Sequence, residues 1–178
     1  MKPKILSKKV EYECDWIKIE GVRLRLASGE ISKQKRIFLR DFVAIVPIDD
    51  KFNVYLVKEY RSAWEKEIYQ IPAGNIRKQG EKEILKQAHN ELREEVGLDA
   101  RRMEKILTFP VSSRINQKMN LYLAQDLFPS SKKPDPDEIV EVVKMPFRKA
   151  YKLFLKGKMQ TTIQTILGMV LAKEKLKL

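Results

Sequence analysis

Between Ile71 and Leu98 the chain reads IPAGNIRKQGEKEILKQAHNELREEVGL, a Pro-Ala-Gly turn ahead of a helix that carries Glu91, Glu94 and Glu95 and stops at Gly97. At about 100° per residue, Ala88, Leu92 and Val96 share one stripe, extended by Ile84 and Leu85, and this stripe is the expected buried face. The three glutamates fall within roughly a 100° arc to one side of it. Carboxylates so placed repel by roughly 0.2–0.5 kcal/mol per i,i+4 pair, and a divalent cation would offset that. Mg²⁺ and Mn²⁺ want oxygen ligands, and Mg²⁺ usually takes one or two carboxylates plus substrate phosphates. Gly97 can adopt the left-handed conformation that ends a helix. The plain alternative is a solvated Lys/Glu face with Lys82, Lys86 and Arg93 as local partners. Pro72-Ala73-Gly74 alone would be an ordinary type II-like turn, with Gly supplying the positive φ.

The remaining composition narrows the class. A chain of 178 residues, 43% hydrophobic and 34% charged, is long enough for one domain with its own core. No apolar stretch approaches the roughly 18 residues that a bilayer span needs, and the N-terminal MKPKILSKKVEYE has no apolar segment of a secretory signal. A single cysteine, Cys14, cannot form an intrachain disulfide, so cytoplasmic residence is the expectation. Net charge is +12, yet no run of five or six like charges occurs. Zinc-finger spacing and RNP-like aromatic strands are also missing. A diffuse positive field steers anionic phosphates, and a nucleic-acid partner is the lesser reading of it.

Short strands are expected at Tyr12 to Ile19, Val22 to Ala27 and Lys35 to Leu39, with a turn at Ser28-Gly29. Phe42 to Ile48 and Phe52 to Lys58 are strand-like, joined by Asp49-Asp50. A short strand Ile68 to Ile71 precedes the acidic helix Glu81 to Val96; strands Arg102 to Pro110 and Asn120 to Ala124 follow it. Three prolines mark Gln125 to Asp137 as a loop. Ile139 to Lys144 is the last strand, and Arg148 to Lys156 and Thr161 to Lys175 are helices, the latter capped by Thr161 or Thr162. Strands and helices in this mixed order indicate an α+β fold.

The acidic segment resembles the Nudix box: Gly, five residues, Glu, seven residues, then Arg-Glu-apolar-x-Glu-Glu-x-Gly-apolar. Gly74 opens it, and Glu91-Leu92-Arg93-Glu94-Glu95-Val96-Gly97-Leu98 match its last eight positions. The family Arg is Asn90 here, and two extra residues leave Glu81 or Glu83 as the first glutamate. Val57-Lys58-Glu59-Tyr60-Arg61, then Gln70-Ile71-Pro72-Ala73-Gly74, resemble the ADP-ribose pyrophosphatase branch, with Glu59 and Gln70 changed from its pattern. Asp135-Pro136-Asp137-Glu138-Ile139-Val140-Glu141-Val142 is similar to that branch's acidic loop and next strand, and Gly157-Lys158-Met159 to the start of its last helix. The similarity covers roughly residues 10–172.

The resemblance implies an α/β/α sandwich with a mixed sheet over residues 41–178, and an N-terminal antiparallel β element over 1–40 that pairs two copies into a homodimer. It implies Mg²⁺ or Mn²⁺ held by the Ala73 carbonyl, Glu91 and Glu95, with Glu94 the next ligand candidate. Glu94 and Glu95 join the catalytic set, and the general base is Glu138, with Asp137 and Asp135 behind it. Arg61, Arg114 and Gly74 form the substrate-binding set. A planar Arg fork suits phosphate; for Arg61 an ion pair with Glu59 or Glu65 is the competing reading. Tyr60 or Trp64 could stack on a base, although aromatics between strands are more often packing. His89, the only histidine, has no partner visible in sequence. Asn90 predicts a slower reaction or an altered hydrogen-bond pattern with metal binding kept.

The expected activity is hydrolysis of the pyrophosphate of ADP-ribose or a related nucleoside diphosphate sugar. Dinucleoside polyphosphates or RNA 5′ ends are the alternative substrates, and a non-catalytic nucleotide-binding module is the non-enzyme alternative.

Overall fold

The computed structural model describes residues 2–133 and 140–178. In chain order the strands are β1 (Lys4–Glu13), β2 (Ile17–Arg25), β3 (Ile31–Leu39), β4 (Phe42–Pro47), β5 (Asn53–Arg61), β6 (Lys66–Gln70) and β7 (Ala73–Asn75). Helix α1 (Glu81–Glu91) runs straight into a π-helical turn, Leu92–Val96. Then come β8 (Leu98–Pro110), β9 (Ile115–Asn116), β10 (Lys118–Pro129), β11 (Glu141–Pro146), α2 (Phe147–Leu155) and α3 (Ile163–Leu176). The α+β expectation holds. No helix among the described residues is long and apolar enough to cross a membrane.

The chain divides into two compact units, and each is a structure in its own right. The first comprises Met1–Asp41 and Phe109–Met119. Here β1, β2 and β3 form an antiparallel meander, and β9 pairs parallel to β3. Every residue of β1 is exposed, including Ile5, Val10 and Tyr12. The expected strand Tyr12 to Ile19 is corrected: it straddles a turn, closed where Cys14 N–H donates to the Ile17 carbonyl at 2.9 Å. Cys14, Asp15 and Trp16 interrupt the alternation, but their apolar and aromatic content hides the break from a pattern search.

The second unit, Phe42–Thr108 with Asn120–Leu178, is layered. One sheet has the order β7-β4-β10-β8 and another β11-β5-β6. Val43, Ala44, Ile45 and Val46 on β4 are all fully buried, a continuous apolar run that only a strand covered on both faces can carry. On one face Val43, Ile45, Tyr122 and Ala124 pack with Ala88 and Leu92 of α1 and its π turn, with Ile84 and Val96 at the margin. On the other, Gly168 of α3 lies so close that an added Cβ would sit 2.9 Å from Ile71 Cδ1 and 3.1 Å from Val46 Cγ2. Helix, sheet, helix is the resulting order. Burying a side chain such as Leu92 contributes about 1.5–3 kcal/mol.

Most boundaries in this unit follow the sequence pattern to within three residues, but β8 begins at Leu98 rather than Arg102, and three further features differ. Leu85 does not extend the buried stripe; it is 37% exposed. The acidic helix is not α-helical to Val96, because its last turn widens to the π form. The expected loop from Gln125 is strand as far as Pro129. Proline is compatible with a strand end, and Phe128 is held under the Arg101 guanidinium at 5.1 Å. Gly157 ends α2 at φ 63°, with its N–H on the Phe154 carbonyl and the Lys158 N–H on that of Leu153, a Schellman closure.

Candidate active site

Two segments build the site. The first is the strand β7, held to β4 with Ala44 opposite Ala73 and Val43 opposite Gly74, and by an Ile45 N–H bond of 2.9 Å to the Pro72 carbonyl. The second is the end of α1 and its π turn, closed by Gly97 at φ 74° as its sequence position predicts. Gly74 is not in the left-handed region, so the type II turn is set aside. Its requirement is space. A Cβ at Gly74 would lie 2.0 Å from Glu91 Oε1 and 2.3 Å from Oε2.

Glu91 and Glu95 are buried, at 6% and 8% exposure. Ala73 N–H donates to Glu95 Oε2 at 3.3 Å, and Gln87 Nε2 donates to Glu91 Oε1 at 2.5 Å. Buried carboxylates are costly unless paired or hydrogen-bonded, and each of these two accepts a hydrogen bond. Glu94 points elsewhere, into an ion pair with Lys132. Glu81 and Glu83 occupy the first turn of α1, Glu81 exposed and Glu83 half-buried. Burial first, and then the negative charge of Glu81, push the buried Tyr122 hydroxyl upward from its ordinary pKa.

Asn90 does not reach toward Glu91. Its Oδ1 accepts from Arg93 Nη2 at 2.5 Å, and Arg93 Nε stands 3.8 Å from Asp99 Oδ2. His89, partnerless in sequence, has its Nδ1 2.5 Å from Asp99 Oδ1. These contacts make a polar cluster of His89, Asn90, Arg93 and Asp99 at the end of the helix. Gln87, Lys132 and Asp99 were missed from sequence. Gln87 lies four residues before Glu91, a spacing at which a glutamine and a carboxylate meet on a helix, so its signal was present. Lys132, 38 residues from Glu94, had none.

Arg61, at the end of β5, pairs with Glu59 at 2.9 Å. With the Gln70 amide turned over, its oxygen accepts from Arg61 Nε and Nη2, both at 3.1 Å. The bland reading of Arg61 therefore describes its present partners. Tyr60 and Trp64, on the same hairpin, are exposed at 61% and 69% and are not packing residues of this unit. Arg114 belongs to the N-terminal unit and is exposed, its N–H on Ser112 Oγ at 3.2 Å. Asp135, Asp137 and Glu138 lie outside the described residues.

All the donors that Ala73, Glu91 and Glu95 present are oxygens, the set that a hard cation takes. No three His, Cys, Asp or Glu side chains converge on a point among the described residues. Two carboxylates and a carbonyl fit a Mg²⁺- or Mn²⁺-type ion that keeps room for substrate oxygens.

The NUDIX domain profile matches residues 39–165. The chain belongs to the Nudix family. Within it, the chain is 32% identical over 133 residues to the ADP-ribose pyrophosphatase of Bacillus subtilis (strain 168), covering 73% of this chain and 71% of that one. It is 31% identical over 148 residues to the ADP compounds hydrolase NudE of Escherichia coli (strain K12), covering 82% and 78%. A crystal structure of an ADP compounds hydrolase superposes with a TM-score of 0.88 at 27% identity, over 99% of this chain and 95% of the other. The recognition made on the acidic helix holds, and so does the Nudix sandwich: this is a hydrolase of the ADP-ribose pyrophosphatase branch. Its Nudix box departs from the family pattern at Asn90, and Gln87 donates a hydrogen bond to Glu91.

Proposed function

We propose that this Nudix hydrolase cleaves the pyrophosphate bond of ADP-ribose or a related nucleoside diphosphate sugar, releasing a nucleoside monophosphate and a sugar phosphate. The observation that carries the reading is the pair of buried carboxylates, Glu91 and Glu95, set against Ala73–Gly74. Mg²⁺ or Mn²⁺ held by these carboxylates and the Ala73 carbonyl would neutralise charge developing on the phosphate oxygens. Glu94 is the next ligand candidate, engaged by Lys132 in this structure. Glu138 takes the proton of the attacking water as general base, with Asp137 and Asp135 as substitutes. Arg61 and Arg114 are assigned to the substrate phosphates, Tyr60 or Trp64 to the base. The relatives' activities, on ADP-ribose and ADP compounds, support this substrate class.

The second part of the proposal is a homodimer through the N-terminal unit. What supports it is β1, an entirely exposed strand whose apolar residues Ile5, Val10 and Tyr12 find no cover in their own chain. Sedimentation equilibrium gives its test, with a monomer at all concentrations as the refuting result. We place the protein in the cytoplasm, the residence that a chain with the single cysteine Cys14 favours.

The activity is tested by incubating the protein with ADP-ribose, GDP-mannose, UDP-glucose and diadenosine polyphosphates with Mg²⁺ or Mn²⁺. Products are separated by ion-exchange chromatography beside Glu95→Gln and EDTA controls. Metal-dependent release of a nucleoside monophosphate, lost in the variant, is the expected result. Turnover of the diadenosine polyphosphates alone would refute the substrate class, and turnover that survives both controls would refute the site.

A further inference from the structure

From Val142 to Lys173 the sequence contains no Asp or Glu and carries Lys144, Arg148, Lys149, Lys152, Lys156, Lys158 and Lys173. The net charge of +12, diffuse elsewhere, is thus concentrated around α2. Three of these cations, Arg148, Lys152 and Lys156, follow one another at i, i+4 and i+8 along one stripe of that helix and its cap. Like charges at that spacing are destabilising by roughly 0.2–0.5 kcal/mol per pair. Lys144 is paired with Asp49 at 2.8 Å, but none of the three has an ion pair among the described residues.

Beside the stripe is a hollow open to solvent. Between α2 and α3 lies a cavity of about 360 Å³ with Phe147, Tyr151 and Leu155 in its walls and Arg148, Lys152 and Lys156 around it. That size falls within the roughly 300–1,000 Å³ of small-molecule sites. Lys173 completes the positive side from α3, its ammonium 5.4 Å from the Tyr151 ring centroid. Leu155 is 57% exposed, an apolar side chain placed between Lys152 and Lys156. Among the described residues no Asp or Glu lines the space; Leu178, with the terminal carboxylate, does. None of these residues belongs to the site around Glu91 and Glu95.

An apolar wall and a rim on which four cations outnumber one carboxylate are complementary to a molecule that is apolar at one end and anionic at the other. We propose that this cavity binds a small amphipathic anion, an acyl or aromatic body carrying one carboxylate or phosphate. The body replaces water against Tyr151 and Leu155, and the head group meets Arg148, Lys152 and Lys156. A phosphate head suits the Arg148 fork best. The inference stands apart from the reading of the hydrolytic site.

Calorimetric titration of the full chain with octyl phosphate, octanoate, octanol and inorganic phosphate provides the test. One saturable site per chain is expected for octyl phosphate and octanoate, with octanol and inorganic phosphate at least tenfold weaker. A Lys152→Glu/Lys156→Glu variant and Leu155→Ser should each weaken octyl phosphate at least tenfold. All three positions are exposed, so circular-dichroism melting should be unchanged. Absence of a saturable site would overturn the proposal, as would full affinity in both variants or inorganic phosphate binding as tightly as octyl phosphate. A co-sedimentation arm with phosphatidylglycerol vesicles separates free from membrane-borne anions. Retention on vesicles without binding of free octyl phosphate would also overturn it, by making the face a membrane contact.

Discussion

The carboxylate of Glu91 fills the space that a side chain at Gly74 would need, with Oε1 2.0 Å from the position of a Cβ there. A strand and a helix 17 residues apart in sequence are thereby keyed together at one point, and a helix carboxylate is held against strand backbone.

Gly74→Ala should fold, since the obstructing atoms are the far end of a flexible side chain, but it must displace the Glu91 carboxylate. We expect Mn²⁺ affinity to fall at least tenfold while the melting temperature changes by only a few degrees, read by Mn²⁺ electron paramagnetic resonance and thermal denaturation. Unchanged Mn²⁺ affinity would remove Glu91 from the ligand set.

The three helix acids should not be equivalent. Glu91 and Glu95 are buried against β7 and Glu94 is paired with Lys132. Glu91→Gln and Glu95→Gln should therefore weaken Mn²⁺ binding by tenfold or more, and Glu94→Gln by clearly less. An equal loss in all three would show that Glu94 leaves Lys132 to join the metal.

We expect Gln87 to position Glu91 through the hydrogen bond of 2.5 Å that its side-chain amide donates. Gln87→Leu should lower kcat/KM about tenfold, the loss of roughly 1.4 kcal/mol expected for a hydrogen bond to a charged group. Gln87→Glu should do worse and weaken Mn²⁺ at neutral pH, because it sets a second carboxylate beside Glu91. If both variants keep wild-type kinetics, the contact is incidental.

Glu138→Gln separates base from ligand. A lost general base lowers kcat by roughly 10²–10⁴-fold and leaves Mn²⁺ affinity alone. Retained kcat would pass the role to Asp137 or Asp135, to be tested by the same substitution to Asn.

Stability in acid should depend on Asp49. Its carboxylate accepts from Asn53 N–H at 2.8 Å and Lys51 N–H at 3.0 Å and pairs with Lys144 at 2.8 Å, closing the β4–β5 turn. Burial opposes its charge, yet the Lys144 ammonium and the Asn53 bonds prevail and lower its pKa from 3.8 to about 2. Because the folded value is the lower one, the stabilisation is present above 3.8 and lost as pH falls toward about 2. Asp49→Ala should cost about 1–3 kcal/mol at neutral pH and flatten the loss of stability through that acid window. Urea midpoints for both proteins across the window decide it.

The period-3.6 stripe Ala88-Leu92-Val96, the Gly97 stop and the buried run of β4 were all legible in the sequence. Each is a local pattern, set by helix period, backbone permissiveness or unbroken hydrophobicity, and the acidic box came with them because its residues are neighbours on one helix. Leu85 shows where locality ends. Its position on the helix wheel is inward, but the layer it would meet stops short of it, leaving it 37% exposed.

What tertiary structure alone decided is how the carboxylates are used. Glu94 and Glu95 are adjacent in sequence, yet one faces Lys132 and the other an Ala73 N–H. Asn90, the departure from the family pattern, is occupied by Arg93, and His89 by Asp99. Electrostatic partners act through space over a few ångströms, and chain folding brings them from distances that no periodicity encodes. The sequence by itself determined that a glycine-ended acidic helix follows a Pro-Ala-Gly strand. The packing of that strand beside β4 determined which acids are buried, because there a residue without a Cβ leaves room for the Glu91 carboxylate.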